Sequence, residues 1–339
     1  MAKSLELSEF QKISGPIFDV RSPGEFAQGQ LPGAYNLPLF TNEERSQIGS
    51  LYKQIGRKQA VLEGMRYAAP KFAHFVEEVE KALQDFSPEG KAKIHCWRGG
   101  MRSGSVAMLL EMAGMPTVTL KGGYKAFRHW ALESLKQPYQ LRILGGMTGS
   151  GKTAILHFMK AQGTQVLDLE GFAKHRGSSF GMIGMPQQPS NEQFENELGF
   201  QLSLFDPKRP IWIEDESRLI GWCKVPDPLF LAMRTAPLYI LERSTKHRLE
   251  EIQKTYWDQD PNALIKSTNR LIKKLGSVRG KEAVAAIEKK DMETATLIIL
   301  EYYDRSYLHE LRRHKRPQIQ LDGSHRSNEL WATYLGSLH

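Results

Sequence analysis

The sequence predicts an α/β protein made of two parallel-sheet domains, and three observations point to this. Short apolar strands alternate with helical segments along much of the chain, which is the pattern of a parallel sheet covered on both faces. The pattern stops near Gln137-Pro138 and then starts again with a new strand. The 339 residues are enough for about two domains of roughly 150 residues each. We therefore predict one domain over residues 1–137 and a second over residues 138–339.

The first domain is predicted to contain three strands and two helices. The strands are short apolar segments at residues 16–21, 92–96 and 116–120. Apolar residues recur at helical spacing between the second and third of these strands, which predicts a helix over residues 103–113. A second helix is predicted over residues 65–83. This arrangement puts Cys96 at the end of a strand, just ahead of a helix.

The second domain is predicted to contain five strands, at residues 140–144, 165–169, 210–214, 237–241 and 318–321. A helix is expected to start at Lys152 and run through Lys160. Residues 244–316 read as largely helical and carry most of the basic clusters, so we interpret them as an insertion ahead of the last strand.

Composition limits the class of protein. The chain is 40% hydrophobic and 25% charged, which is typical of a globular protein. It has only two cysteines, Cys96 and Cys223, so a disulfide framework is not expected and a reducing compartment is. The first ten residues have no long apolar core, and no apolar run approaches the ~18 residues that span a bilayer. We expect a cytoplasmic protein without a membrane partner.

The net charge of +8 modestly favours a polyanionic partner. The basic residues form two groups, at residues 266–281 and 305–316. Solvated helix faces and RNA-binding surfaces are both open interpretations. Arg312 and Arg313 in the second group are candidate RNA-phosphate contacts.

The first chemical motif is a thiol loop from His95 to Ser103, with Cys96 at its start. A thiolate is the reactive form of cysteine, and its pKa falls beside cations and at helix N-termini. Arg98 and Arg102 are close to Cys96 in sequence, and two glycines between them let backbone N–H groups turn inward to hold an anion. We predict that Cys96, Arg98 and Arg102 form a catalytic site.

The loop also has the Cys-x5-Arg spacing of protein phosphatases, in which sulfur attacks a bound phosphate. The upstream segments favour another family. Residues 19–26 and 29–38, together with Gly122-Gly123-Tyr124 and the later Trp130, resemble the rhodanese (sulfurtransferase) domain in order and spacing. In that family the loop cysteine accepts sulfur or selenium. The longer loop here suggests a pocket for a larger tetrahedral anion, such as a phosphate ester or selenophosphate.

The second motif is a P-loop, Gly146-x4-Gly151-Lys152-Thr153, which follows a strand and opens a helix. Its glycines let backbone N–H groups approach phosphate oxygens at the helix N-terminus. The predicted phosphate-binding residues are Gly146, Gly149, Ser150, Gly151, Lys152 and Thr153. Thr153 is also expected to ligate a magnesium ion.

Residues 211–217 read as a strand that ends in acidic residues. Asp215 is predicted as the carboxylate on the metal side, with Glu214 or Glu216 as substitutes. Asp168 and Glu170 follow another strand and should reach the same rim, where open α/β sheets bind ligands. A P-loop binds a diphosphate or triphosphate, but does not by itself say which.

The segment after Ala173 is rich in glycine and basic residues. His175 and Arg176 within it could clamp phosphate or RNA, or could belong to a mobile loop. Tyr302, Tyr303 and Tyr307 have helical spacing and are expected to pack in a core, with base stacking as the alternative. Cys223 is expected to be a packed cysteine.

Taken in order, these pieces resemble the bacterial tRNA 2-selenouridine synthase family, whose members are also described as tRNA geranyltransferases. The resemblance extends over nearly the whole chain. Its specific segments are residues 96–103, 145–153, 168–177, 214–221 and 301–304. The last three of these segments are not general P-loop features.

The resemblance implies a transferase that acts on 2-thiouridine at the wobble position of tRNA. The thiocarbonyl sulfur would attack geranyl diphosphate, and selenium from selenophosphate would then replace the geranylthio group to give 2-selenouridine. Geranyl diphosphate and selenophosphate would be co-substrates, magnesium is the expected ion, and no fixed prosthetic group is implied. A selenophosphate-producing enzyme is a candidate partner. Trp212, Phe180, Met182 and Met185 are candidates for a geranyl slot.

Two other functions remain open from the residues alone. One is a cysteine phosphatase fused to a kinase-like P-loop domain, which would act on phosphoesters and ATP without RNA. The other is a non-enzymatic RNA-binding or regulatory module, which would not need an intact Cys96. A plain thiosulfate sulfurtransferase would leave the P-loop domain without a role.

Overall fold

The computed structural model describes residues 2–86, 89–313, 316–322 and 326–338. The chain forms two compact units, Met1–Glu133 and Ser134–His339. The division falls near the end of a helix, Gly123–Ser134, whereas the sequence suggested Gln137-Pro138. The predicted α/β class is confirmed, because each unit is built on a five-stranded parallel sheet.

The first unit contains strands β1–β5 and helices α1–α7. The strands are β1 Lys3–Leu5, β2 Ile17–Asp19, β3 Ala34–Asn36, β4 Ala92–His95 and β5 Thr117–Leu120. The helices are α1 Leu7–Lys12, α2 Pro23–Gln28, α3 Asn42–Gln54, α4 Arg57–Ala68, α5 Phe72–Leu83, α6 Met101–Met112 and α7 Gly123–Ser134. The strand order is β1-β5-β4-β2-β3, so β4 and the loop that follows it lie at the centre of the sheet.

The helix predicted over residues 65–83 is wrong as a single element. The structure has α4, then a 3-10 turn Ala69–Lys71, then α5. Pro70 lies in that turn, and proline lacks the N–H that a helix interior needs. The break therefore has a cause that is visible in the sequence. Strands β1 and β3 are too short to show a clear period of two, and the sequence did not predict them.

The second unit contains strands β6–β12 and helices α8–α16. The strands are β6 Leu141–Gly145, β7 Val166–Leu167, β8 Ile211–Glu214, β9 Leu219–Ile220, β10 Cys223–Lys224, β11 Leu238–Glu242 and β12 Gln318–Asp322. The helices are α8 Lys152–Ala161, α9 Leu169–Ala173, α10 Asn191–Ser203, α11 Asp227–Thr235, α12 Thr245–Tyr256, α13 Pro261–Leu275, α14 Ser277–Glu288, α15 Met292–Arg313 and α16 Asn328–Gly336.

The main sheet of this unit has the order β12-β11-β6-β8-β7, and β9 and β10 form a separate antiparallel pair. The loop after β6 is therefore central, and the ends of β8 and β7 lie to one side of it. Helices α12–α15 fill the stretch between β11 and β12, as predicted for residues 244–316. Leu264, Leu271, Ile287 and Ala295 of these helices are buried in one apolar cluster with Phe180.

Candidate active sites

The thiol loop of the first unit joins β4 to α6. Cys96 is only 3% exposed, and its Sγ lies 3.3 Å from Oγ of Ser103 in the first turn of α6. Burial raises the pKa of the Cys96 thiol, but hydrogen bonds from Ser103 and from the Gly100 backbone, together with the Arg102 charge, outweigh burial and leave the pKa below its ordinary value. The loop therefore favours the reactive thiolate.

Two glycine contacts fix the path of this loop. Gly99 and Gly123 both have positive φ, at 64° and 58°, a region that favours glycine. A side chain on Gly99 would collide with the carbonyl of Leu120, and one on Gly123 would collide with the carbonyl of Cys96. The N–H of Tyr124, in the first turn of α7, donates to the Cys96 carbonyl at 2.8 Å. The start of α7 therefore packs directly against the thiol loop.

The two predicted arginines have different surroundings. Arg98 is exposed. Arg102 donates to the Glu25 carboxylate at 2.9 Å, and Arg45 pairs with the same carboxylate at 2.8 Å. Burial raises the pKa of Glu25, but the two arginines outweigh burial and hold the pKa at about 2. Glu25 is thus ionised and orients Arg102, a role that the sequence pattern alone did not indicate.

A buried ion pair between Arg21 and Asp19 packs against the start of α7, which in turn contacts the thiol loop. Arg21 pairs with Asp19 at 2.5 Å and donates to the Gly29 carbonyl at 2.6 Å. Its guanidinium carbon lies 3.8 Å from the ring centroid of Tyr124, a cation–π contact. The residues that carried the resemblance around Asp19 therefore stabilise the fold that presents Cys96.

The second unit has a cavity of about 840 Å³ that starts at the P-loop. Gly146, Gly149 and Gly151 all have positive φ, so the loop adopts a backbone that favours glycine. Lys152 Nζ donates to the Gly146 carbonyl at 2.9 Å and lies 3.5 Å from Glu214. Ser150 Oγ is buried and has no hydrogen-bond partner among the described residues. An anionic ligand would supply the missing partner.

Three buried carboxylates stand beside the P-loop. Glu170, Glu214 and Glu216 offer oxygens within 4.8 Å of one another, and Thr153 Oγ1 donates to Glu214 at 2.8 Å. Burial first, and then the neighbouring carboxylates, raise the pKa of Glu170 and of Glu216 far above the usual range. Without a cation these carboxyl groups tend to stay protonated. Once ionised, three clustered carboxylates provide the oxygen ligands that a hard divalent cation such as Mg²⁺ prefers.

The structure corrects the prediction that Asp215 is the carboxylate on the metal side. Asp215 lies 2.6 Å from Arg316 and 3.2 Å from Arg234, so its charge is already compensated. Glu214 takes the place expected for Asp215, next to Thr153. Side chains of adjacent residues along a strand point to opposite sides. Glu214 therefore faces Thr153, whereas Asp215, the next residue, faces the two arginines. The residues that would hold a divalent cation are therefore Thr153, Glu170, Glu214 and Glu216.

We expect the stability of the metal-free protein to fall as pH rises above about 5. The pKa of Glu216 rises from its ordinary value of 4.5 to about 8, so the folded state binds more protons than the unfolded state across this window. Stability is therefore greatest below the unfolded pKa and is lost as pH rises towards the folded pKa. Urea unfolding from pH 5 to pH 9 measures this.

Magnesium should cancel most of that loss, because the cation replaces the displaced protons. The Glu216→Gln variant provides the matched control, since it keeps the shape and removes the charge. It should show a smaller fall with pH. An equally steep fall in Glu216→Gln, or a fall that magnesium does not change, would contradict the assignment of these carboxylates.

Part of the cavity wall is apolar. It includes Leu264, Ile287, Met292, Ala295 and Ile299, which belong to or pack against one apolar cluster. They come from α13, α14 and α15, which are distant in sequence from the P-loop. The same cavity is therefore lined both by the P-loop and by aliphatic side chains, a combination suited to a ligand with a charged head and a hydrocarbon tail.

The predicted slot residues divide between wall and core. Phe180 and Met185 line the cavity, as do Tyr302, Tyr303 and Tyr307. Tyr302 and Tyr303 also pack against the apolar cluster that contains Phe180, as expected for core residues. Trp212 is only 1% exposed and packs on Tyr239 within the sheet core. Met182 is 46% exposed and is not among the cavity-lining residues. The Trp212 and Met182 expectations are therefore wrong.

The segment after Ala173, which is rich in glycine and basic residues, contributes one of its two predicted residues to the cavity. Arg176 lines the cavity, and its Nη1 donates to the Ile183 carbonyl at 2.8 Å. His175 is buried, its pKa is lowered by burial, and it does not line the cavity. Cys223 is buried as expected. Burial is the main cause that raises the pKa of its thiol, and the negative charge of Glu197 adds to it.

The carboxyl-terminal basic residues also separate. Arg312 is exposed at the end of α15. The Arg313 side chain and Lys315 lie outside the described residues. Arg316, which the sequence placed at the surface, is 7% exposed because it pairs with Asp215. On α13 the basic residues Lys266, Arg270, Lys273 and Lys274 are all exposed.

Two features of the site were missed from the sequence. His157 Nε2 lies 3.1 Å from Asp168, and both line the cavity. Arg248 is buried, donates to the Thr148 carbonyl at 2.7 Å and pairs with Asp304. That pair connects α12 and α15 to the P-loop. The signal in the sequence was the segment 301–304, which had no assigned role.

The fold and the two loops define a protein with a rhodanese-like thiol domain and a P-loop domain. Residues 3–129 match the rhodanese-like domain family, and residues 139–335 match the tRNA 2-selenouridine synthase AAA domain. A tRNA 2-selenouridine synthase of Aeromonas salmonicida is 34% identical, with 91% of this chain and 90% of the relative covered. That of Pseudomonas fluorescens is also 34% identical, with 95% and 96% covered. The chain belongs to the tRNA 2-selenouridine synthase family.

The described helices were compared with the length and apolar character of a membrane-spanning helix. None of them combines the length and the apolar character that a bilayer-spanning helix requires.

Proposed function

We propose that this protein converts 2-thiouridine at the tRNA wobble position to 2-selenouridine through an S-geranyl intermediate. The observation that carries the proposal is the lining of the P-loop cavity. Its P-loop residues suit the diphosphate of geranyl diphosphate, and its cluster of aliphatic side chains suits the geranyl chain. A second, chemically different site is available in the thiol loop, so each of two steps has a site of its own.

In the first step the thiocarbonyl sulfur would attack the allylic carbon of geranyl diphosphate. The carbon–oxygen bond breaks, diphosphate leaves, and the uridine loses its N3 proton. Negative charge grows on the leaving diphosphate. Stabilisation of such charge is usually the largest single contribution to enzyme catalysis. Lys152 and the P-loop amides would bind it, and a magnesium ion held by Thr153, Glu170, Glu214 and Glu216 would supply further positive charge. No nucleotide hydrolysis is needed.

The apolar part of the cavity wall supports a prenyl diphosphate as the donor. Leu264, Ile287, Ala295 and Ile299 offer aliphatic surface to a hydrocarbon chain. Burial of a ten-carbon chain would contribute about 0.8 kcal/mol per CH₂ group. This term favours geranyl diphosphate over inorganic diphosphate at the same loop.

In the second step selenium from selenophosphate would replace the geranylthio group at C2. The carbon–sulfur and phosphorus–selenium bonds break, a carbon–selenium bond forms, and water supplies an oxygen to phosphorus, so that geranylthiol and phosphate are the other products. Arg98, Arg102 and the loop amides would bind the selenophosphate anion, and the thiolate of Cys96 would act in delivering selenium. Against the effect of burial, the hydrogen bonds from Ser103 and the Gly100 backbone lower the pKa of the Cys96 thiol below its ordinary value, which supports this role.

The tRNA needs a positively charged surface, because phosphate neutralisation dominates nucleic-acid affinity. Lys266, Arg270 and Lys273 are exposed on α13 at spacings of four and three residues, which places them on one face of the helix. The buried residue Leu264 of the same helix lines the cavity. We therefore expect α13 to contact the tRNA backbone beside the apolar part of the cavity wall.

The direct test uses the purified protein with thiolated tRNA, geranyl diphosphate, magnesium and selenophosphate. Mass spectrometry of the wobble nucleosides should show S-geranyl-2-thiouridine when selenophosphate is withheld, and 2-selenouridine when it is added. Release of phosphate from an aryl phosphate or ATP, with the tRNA unchanged, would instead favour the phosphatase–kinase interpretation.

A further inference from the structure

We propose that Cys96 takes the phosphoryl group of selenophosphate, forms a transient phosphocysteine and releases selenide, rather than carrying selenium itself. This inference rests on the proposed function and concerns the chemistry of its second step. It arises from the Cys-x5-Arg spacing of residues 96–102, which selenium transfer alone does not require. In that spacing a cysteine attacks phosphorus inside an anion-binding loop.

The geometry around Sγ fits attack on a phosphoryl group. Cys96 is buried at the base of the loop, and the Gly100 and Ser103 amides donate to its sulfur. Amides directed into the loop from the start of α6 would also face the oxygens of a tetrahedral anion. Arg102 is the sixth residue after Cys96, and Glu25 and Arg45 hold it in an ion-paired cluster. A planar guanidinium is suited to phosphate oxygens.

Ser103 gives the loop a way to reverse the bond. Its Oγ lies 3.3 Å from Cys96 Sγ and donates to the Gly100 carbonyl at 3.1 Å. Rotation about the Cβ–Oγ bond would direct the same proton to the sulfur as the sulfur–phosphorus bond breaks and negative charge returns to it.

The electron balance favours attack at phosphorus. When Sγ attacks phosphorus, a sulfur–phosphorus bond forms, the phosphorus–selenium bond breaks, and selenide leaves with the electron pair. Selenide then adds at C2 of the S-geranyl uridine and geranylthiolate departs. Water finally attacks the phosphocysteine, phosphate leaves, and the Cys96 thiolate is restored. Phosphorus keeps its oxidation state throughout, and no oxidant or reductant is consumed.

Attack of Sγ on selenium has a different balance. It would leave phosphorus two electrons more reduced, as phosphite, and would put selenium on sulfur as a perselenide. Release of selenide from that perselenide would then require a two-electron reductant, for which the proposed reaction provides no source. Attack at phosphorus is therefore the route whose atoms and electrons balance with selenophosphate and water alone.

The experiment follows phosphorus and selenium separately. The full-length protein is mixed with selenophosphate that carries ³²P or ⁷⁵Se, denatured at neutral pH without thiols, and separated from free label. We expect ³²P but not ⁷⁵Se on the wild type, and neither label on Cys96→Ala. Ser103→Ala should slow hydrolysis on the order of tenfold, as expected for loss of one hydrogen bond to a charged group, and should therefore raise the ³²P occupancy.

Ser105→Ala is the matched control, because Ser105 is exposed on the same helix and bonds only to the Arg102 carbonyl among the described residues. It should behave as the wild type does. Retention of ⁷⁵Se without ³²P would overturn the inference, and so would formation of 2-selenouridine with neither label on the wild type or on Ser103→Ala. A wild type that makes no 2-selenouridine at all would instead refute the proposed function.

Discussion

Replacing Lys152 by alanine is expected to lower the rate of geranyl transfer by about 10²- to 10³-fold, the usual effect of removing one donor that stabilises transition-state charge. Lys152 is the cation that lies across the P-loop, 2.9 Å from the Gly146 carbonyl. Diphosphate departure would lose its nearest protein charge. Single-turnover formation of S-geranyl-2-thiouridine, measured by mass spectrometry, gives the rate directly.

The same variant should still convert tRNA that already carries the geranyl group, because the proposed site of selenation is the thiol loop. Lys160→Ala is the control, since Lys160 is exposed near the end of α8 and does not line the cavity. It should transfer geranyl at the wild-type rate. If Lys152→Ala transferred geranyl normally, the P-loop would not be the site of diphosphate departure.

Replacing Cys96 by alanine is expected to abolish 2-selenouridine formation while geranyl transfer continues. Alanine has no thiolate, and the nearby Ser103 hydroxyl, 3.3 Å from Sγ, is a much weaker nucleophile. S-geranyl-2-thiouridine should therefore accumulate in the tRNA even when selenophosphate is present. The ratio of the two modified nucleosides in one digest measures both steps together.

Cys223→Ala tests whether the effect is specific to the loop. Cys223 is the other free cysteine, is buried, and has a raised thiol pKa, so it should not react. Both steps should proceed in this variant. Equal loss of both steps in a folded Cys96→Ala protein would show that the thiol loop also takes part in prenyl transfer.

Local sequence was sufficient to predict the loops. The thiol loop and the P-loop each lie within about ten residues, and Gly99, Gly146, Gly149 and Gly151 adopt positive φ because the backbone must turn sharply there. The alternation of strands and helices likewise gave the α/β class. These features depend on neighbours in the chain, which a single sequence displays.

The remaining features depend on contacts between distant residues. Asp215 pairs with Arg316, 101 residues away, and this contact between distant residues helps to explain why Glu214 rather than Asp215 faces Thr153. The apolar part of the cavity wall is assembled from α13, α14 and α15, whose buried faces have the periodicity of any packed helix. Trp212 illustrates the opposite error, because closeness in sequence to the acidic residues did not bring it to the cavity.

The central claim is that one chain holds two separate sites for two successive steps, and a mixing experiment tests it most directly. Thiolated tRNA is first treated with Cys96→Ala protein and geranyl diphosphate, and Lys152→Ala protein and selenophosphate are then added. We predict that S-geranyl-2-thiouridine forms in the first stage and becomes 2-selenouridine in the second, although neither variant alone completes the sequence. No S-geranyl product in the first stage, or no selenation after mixing, would contradict the claim.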